Sequence, residues 1–547
     1  MSLLVDLFGY LSIIIHGLTI VAQSMALGGV LFLVFLALPL AHAIGPRVAV
    51  DTARIAAWSA LALIVCEAAT VALQAAVLTD TVDLSLLEAL GASSAIAGLI
   101  KMACGAVLAA VLFTLGTTAP RGLLLAVGLV ELMAATLTTH AAARLEDRPL
   151  LLAVALLHQL GAAIWIGGIP AFVLALARVT DGEAWRDVGA RFSLMSLIGV
   201  GCILVSAAVM SVLYVGSPDA IYGTAYGVMV AAKAAMFLAL LALGYFNSRV
   251  IANLRANPAS PVKRMKRFAE VEIGIGFSLF FAAASLTSVP PSIDLTADRV
   301  TWHEVVERNT PVWPRMESPQ HDVLALPALQ AQLDAEAAAN ATKPPPAFVP
   351  GGGELPVRNA ADIAWSEYNH HWAGVFVVLI GVLALLNRAG LRWARNWPLV
   401  FLGLAVFLFL RSDPEVWPMG DEGIFESLRD IEVLQHRFFV ILIVIFAIFE
   451  WRVRVGGWND KRAKLVFPLV CAVGGAALLT HSHAIANVKE ALLIELTHTP
   501  LALAAMAAGW SRWLEIRLDG RGARVAGWIW PLCFVFIGAL LLLYREA

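Results

Sequence analysis

Apolar runs separated by short charged turns recur along the chain at about 8–40, 54–79, 92–118, 122–142, 150–177, 193–217, 224–248 and 268–289. They resume at about 368–387, 397–411, 432–451, 465–484, 490–511 and 526–544. A helix needs ~20 predominantly apolar residues to cross a hydrocarbon core, and most of these runs meet that length. The predicted fold class is therefore all-α, a polytopic membrane helix bundle of about fourteen transmembrane helices. The polar stretch from 290 to 366 divides it into modules of eight and six helices, with boundaries 1–291, 292–366 and 367–547.

The charged turns alternate in sign. Arg47 and Arg54; Arg121; Arg178, Arg186 and Arg191; and the run from Arg249 to Arg267 occupy every second loop. The same phase continues with Arg388, Arg392 and Arg395; Arg452 to Lys464; and Arg512 to Arg524. The intervening loops carry Asp80, Asp83 and Glu88, or Asp413, Glu415, Asp421, Glu426 and Asp430. The positive-inside rule places the basic loops in the cytoplasm, and both termini and the polar stretch on the periplasmic side. One missed helix would reverse the phase downstream, so the unbroken alternation supports the count.

Composition agrees with a membrane chain: 60% of the 547 residues are hydrophobic, 14% are charged, and mean hydropathy is +0.80. A net charge of −2 leaves no basic footprint for nucleic acid. The first apolar run lacks a basic leader and a small-residue cleavage site and reads as a retained helix. All five cysteines, Cys66, Cys104, Cys202, Cys471 and Cys533, lie in apolar segments without a C-x-x-C pair, which argues against disulfides and thiolate zinc sites. The stretch KPPPAFVPGGGELP at 343–356 reads as a semi-extended linker.

Histidine placement is the strongest chemical signal. Of ten histidines in or beside apolar segments, nine fall toward the outer face on this topology, and only His42 lies at the cytoplasmic side. His16 and His158 each sit ~12 Å below the outer end of a helix, taking 1.5 Å per residue. His140 closes an outward-running segment. In the second module His370 and His371 begin a helix, His436 lies near the start of another, His481 and His483 end an outward run, and His498 lies about two turns into the next. Neutral imidazoles converging from several helices suit a metal ion or a haem iron. The metal candidates are His16, His140, His158, His371, His436, His481, His483 and His498; for a haem the candidates are His436, His498, His371 and His483. Taken singly, an interfacial polar role for each is equally good; taken together, intramembrane imidazoles point to function. His303 and His321 in the polar stretch read as solvated.

Glu67, Lys101, Glu131 and Lys233 fall near the middle of their helices, where internal ion pairing is the favoured reading over an ion path. Helical methionines occur without a Met-x-x-x-Met array, so a thioether-lined Cu(I) pore is not indicated.

Four segments, LLHQLGAAIWIGGIP around His158, ARFSLMSLIGVGCILVSA (190–207), GTAYGVMVAAKAAMFLALLALGYFN (223–247) and RFAEVEIGIGFSLFFAAASLTSVPP (267–291), resemble the CopD family of bacterial inner-membrane copper proteins. The second module is similar to the C-terminal extension of its longer members. The resemblance implies copper resistance or uptake across the inner membrane, with a periplasmic copper carrier of the CopC type as partner. The leading expectation is a copper-handling protein that accepts the metal at the outer histidines. The alternatives are a haem b oxidoreductase passing quinol electrons to periplasmic copper, and a copper chaperone for oxidase assembly. No phosphate-binding loop or hydrolytic triad is evident, so ATP-driven pumping is not expected.

Overall fold

The computed structural model describes residues 2–81, 84–257, 259–295, 299–319, 360–413, 416–420, 422–428, 431–458, 460–480 and 489–546. Apart from one isolated bridge between Val416 and Glu422, no β-structure occurs among the described residues, and the molecule is an all-α polytopic helix bundle. This is what lipid requires of a chain that must pair its own backbone groups within each segment. Twelve of the described helices are long and apolar enough to cross a membrane.

The chain forms two compact units, Met1–Arg299 with Leu479–Ser482, and Val300–Leu478 with His483–Ala547. The first contains α1 (Ser2–Phe32), α2 (Pro46–Thr81), α3 (Ser93–Leu115), α4 (Arg121–Thr136), α5 (Arg148–Trp165), α6 (Ile169–Arg178), α7 (Gly182–Met210), α8 (Ala225–Ala256) and α9 (Lys263–Leu286). The second contains α10 (Trp302–Asn309), α11 (Ala360–Arg388), α12 (Val400–Arg411), α13 (Ile431–Arg454), α14 (Val466–Thr480), α15 (Lys489–Arg517) and α16 (Gly520–Leu542).

Two of the fourteen expected segments are not among the twelve spans. The run at 432–451 is the 24-residue helix α13. The run at 122–142 is broken: α4 stops at Thr136, after 16 residues and ~24 Å, and a separate turn begins at His140. The cause is local. Thr136, Thr138 and Thr139 each turn a hydroxyl onto the carbonyl three residues back, Met133, Ala135 and Thr136, at 2.7, 2.9 and 2.7 Å, which competes with continuing the helix.

Small residues set the helix contacts, because a membrane gives no hydrophobic drive between helices and close packing must supply it. A Cβ added to Gly161 would lie 2.7 Å from the carbonyl of Gly199, and one on Gly199 would lie 2.8 Å from the carbonyl of Gly161, so α5 and α7 touch backbone to backbone. In the second unit a Cβ on Gly374 would meet the Leu542 amide nitrogen at 2.7 Å and the Gly538 carbonyl at 2.8 Å, which seats α11 on α16. An aromatic core of Trp397, Phe467, Trp530 and Phe534, with Ile380, Ala384 and Ala508, fills the same unit. Large apolar residues such as Val65, Leu197, Val212 and Val473 face outward, as lipid-facing positions do.

The segment after the first unit is partly structured. Thr301 and Glu304 form a reciprocal capping box, with the Glu304 carboxylate accepting the Thr301 amide at 2.7 Å and Thr301 Oγ1 accepting the Glu304 amide at 3.3 Å. The box starts α10, and Arg545 Nη1 donates to the Glu307 carbonyl at 2.8 Å. Residues 311–319 then meet α11 near its middle, where Trp372 Nε1 donates to the Met316 carbonyl at 3.2 Å.

Candidate histidine site

The close α11–α16 contact decides which histidines meet. His370 lies one turn before Gly374, and Tyr544 lies just beyond α16, so the seam brings the two rings into a stack with centroids 3.9 Å apart. His498 of α15 approaches both, 6.0 Å from the His370 ring and 5.8 Å from that of Tyr544, nearly perpendicular to each.

Hydrogen bonds select the tautomers. His370 Nδ1 donates to the Ser366 carbonyl at 2.8 Å, and His498 Nδ1 donates to the Ile494 carbonyl at 2.8 Å, each four residues back on its own helix. In these tautomers Nε2 is the lone-pair nitrogen, and a backbone bond to the opposite ring nitrogen is how metal-binding imidazoles are commonly oriented. The Glu546 carboxylate accepts the Tyr544 hydroxyl at 2.9 Å and also the Ser366 hydroxyl, which adds a negative charge beside the pair.

His371 is differently employed. It is almost fully buried; its Nδ1 accepts the Arg315 amide at 2.7 Å and its Nε2 donates to the Tyr544 carbonyl at 2.8 Å. Both nitrogens are engaged by backbone, so the ring clamps residues 311–319 and the 544–546 segment to α11. His436 donates from Nδ1 to Asp413 Oδ1 at 2.6 Å, and Arg437 stands 3.8 Å from the other oxygen. His481 and His483 lie outside the described residues, as does His321. His303 is exposed, 3.9 Å from Glu307.

In the first unit the expected histidines have different neighbours. His158 Nδ1 lies 2.9 Å from Ser206 Oγ, and Ser206 itself donates to the Cys202 carbonyl at 2.7 Å, so the imidazole donates. Lys233 acts electrostatically on His158, and Lys101 does so on His16, which disfavours a bound cation at either. His140 Nε2 donates to the Leu286 carbonyl at 3.3 Å, and its ring sits 6.4 Å from both Tyr214 and Tyr226. Among the described residues, no group of three or more His, Cys, Asp or Glu side chains is arranged to hold a metal ion.

Outside the spans, Arg299 ties the loop ahead of α8 to the 292–299 segment, reaching Ser217 Oγ and Asp219 Oδ2 at 3.0 Å each. The Ser217 hydroxyl and the Arg299 guanidinium hold the Asp219 carboxyl below the usual carboxylate range.

Sequence reasoning passed over His370 and Tyr544. The signal available was their placement, with His370 beside the chosen His371 and Tyr544 at the C-terminal end of the last apolar run.

The fold defines a polytopic all-α membrane protein, in whose second unit the His370 and His498 rings lie 6.0 Å apart. Residues 186–286 match the family described as Copper resistance protein D. It is also 34% identical, over 163 residues, to the protein named Copper transport protein CutJ of Bacillus subtilis (strain 168). That match spans 29% of this chain and 29% of the relative's length. No solved structure matches the chain.

Proposed function

We propose that the chain is a copper-handling protein of the bacterial inner membrane that accepts the metal at His370 and His498. The observation that carries this is the pair itself: two imidazoles from different helices, 6.0 Å apart, each with Nδ1 bonded to its own helix. Two metal–nitrogen bonds of ~2 Å each, together with two ring radii, span about that separation. The family match and the copper-transport name of the relative supply the choice of metal. His371 serves as the clamp behind the pair rather than as a ligand, and His436 is oriented by Asp413 at a separate position.

The pair lies at the end of α11 and α16 remote from Arg388, Arg521 and Arg524, hence on the outer side by the positive-inside rule. A periplasmic copper carrier of the CopC type is the donor that fits this side. Import, transfer and resistance are all consistent with acceptance there.

Metal analysis of the full chain in lipid nanodiscs, with a competing Cu(I) chelator as reference, tests the reading. His370→Ala and His498→Ala each lower copper affinity by about 100-fold, taking a lost ligand to cost at least what a lost supporting bond does, while His303→Ala leaves it unchanged. Copper bound equally by the double variant would overturn the site. A Soret band lost in the same variants would replace it with the haem reading.

A further inference from the structure

Glu67 of α2, Lys101 of α3 and Glu131 of α4 are 4%, 2% and 0% exposed, and they belong to neighbouring helices of the first unit. Lys101 Nζ forms an ion pair with Glu67 Oε1. Both oxygens of Glu131 lack a hydrogen-bond partner among the described residues, although Lys101 and Glu67 both act on it electrostatically. Glu67 and Lys101 cancel, so an ionised Glu131 would leave one uncompensated negative charge in the interior, which a low-dielectric environment strongly disfavours.

Among the described residues, Lys101 is the cation that acts on Glu131. Of the elements packed on α4, α3 contributes Lys101 and Cys104, and α1 contributes His16, which itself faces Lys101. Packed behind them, α2 contributes Glu67 and Cys66. The remaining neighbour, α5, turns its interior titratable residue, His158, toward Ser206 of α7. Gly98 clears the space in front of Glu67: a Cβ there would lie 3.1 Å from Glu67 Oε2. A site needed only for helix packing would be complete with the Glu67–Lys101 pair.

We infer that Glu131 is a proton-binding site within the first unit, holding one proton on its carboxyl and releasing it as Lys101 changes partner between Glu67 and Glu131. In the arrangement seen, Lys101 neutralises Glu67 and the proton neutralises Glu131. Release breaks the Glu131 O–H bond, passes the proton to water and leaves a carboxylate that draws the Lys101 ammonium across. Glu67 is then the carboxylate without a cation, and it takes up the next proton. The cluster alternates between two neutral states that differ in which carboxyl carries the proton.

Infrared difference spectroscopy of the full chain in nanodiscs reads this directly, independently of where copper binds. Glu272 and Glu495 are also buried carboxyls, so each variant is compared with the wild-type protein. Glu131→Gln loses one protonated-carboxyl C=O band at neutral pH, and Lys101→Met gains one, since two carboxyls then share no cation. The charge-balanced variant Glu67→Gln with Lys101→Met retains the Glu131 band and covers the case in which Glu131→Gln fails to fold. An unchanged band in well-folded Glu131→Gln, no gain in Lys101→Met, or absence of the band in the double variant would overturn the inference.

Discussion

The imidazole of His370 and the phenol ring of Tyr544 stack at 3.9 Å with an interplanar angle of 23°, although 174 positions separate them in sequence. The stack holds one face of His370 while Nδ1 is held by Ser366, so the ring has one orientation left. An aromatic pair is worth ~0.5–1.5 kcal/mol beyond its buried area. Tyr544→Leu should lower copper affinity by about 3- to 10-fold, and Tyr544→Phe, which keeps the ring, should stay within about 2-fold. Chelator competition on the two variants distinguishes ring from hydroxyl.

The glycine seam between α11 and α16 predicts a sharp contrast among alanine substitutions. Gly374→Ala drives a methyl into the Leu542 amide and should destabilise by about 1–3 kcal/mol. Gly474→Ala meets nothing within 4 Å and should be neutral or stabilise by up to ~1 kcal/mol. Thermal unfolding in one detergent ranks them, and equal melting temperatures would refute the seam.

Loss of the Thr301 cap should act locally. Thr301→Ala removes the side-chain acceptor for the Glu304 amide and should weaken α10 by ~1 kcal/mol. Hydrogen exchange in residues 302–309 should quicken several-fold, with exchange in α11 and α16 unchanged.

The Asp219–Arg299 bridge has a pH signature. Because the folded-state pKa of Asp219 lies below its unfolded value, its contribution to stability is fully present above the unfolded pKa of ~3.9 and is lost as pH falls through the folded value. The difference in melting temperature between wild type and Arg299→Ala should therefore be constant near neutrality and shrink below about pH 4. A difference that persists undiminished in acid would show that the guanidinium acts through Ser217 and the backbone carbonyls of Ser292 and Leu295 instead.

Long apolar runs made the helices legible, because length against bilayer thickness is a nearly sufficient criterion. The break at Thr136 was also written in the chain, in the repeated threonines of LTTH, but hydroxyl competition is a weaker signal than hydropathy. The choice between His370 and His371 was not legible. Adjacent helical residues point ~100° apart, so one of them had to face α16 and the other the 311–319 segment; only the Gly374 contact with α16 decides which. Likewise, the burial of Glu67, Lys101 and Glu131 followed from their helices, whereas the partner Glu131 lacks emerged only from packing.

The anchoring of residues 544–546 has a practical side. Tyr544, Arg545 and Glu546 touch His371, α10 and Ser366, so whatever is attached next to this segment starts beside the paired imidazoles. A polyhistidine tag fused there brings loose imidazoles to the site by tether alone, at the millimolar effective concentrations short flexible linkers produce. Copper titrations on such a fusion would report the tag as much as the protein, so the tag belongs at another position or must be cleaved before the metal is added.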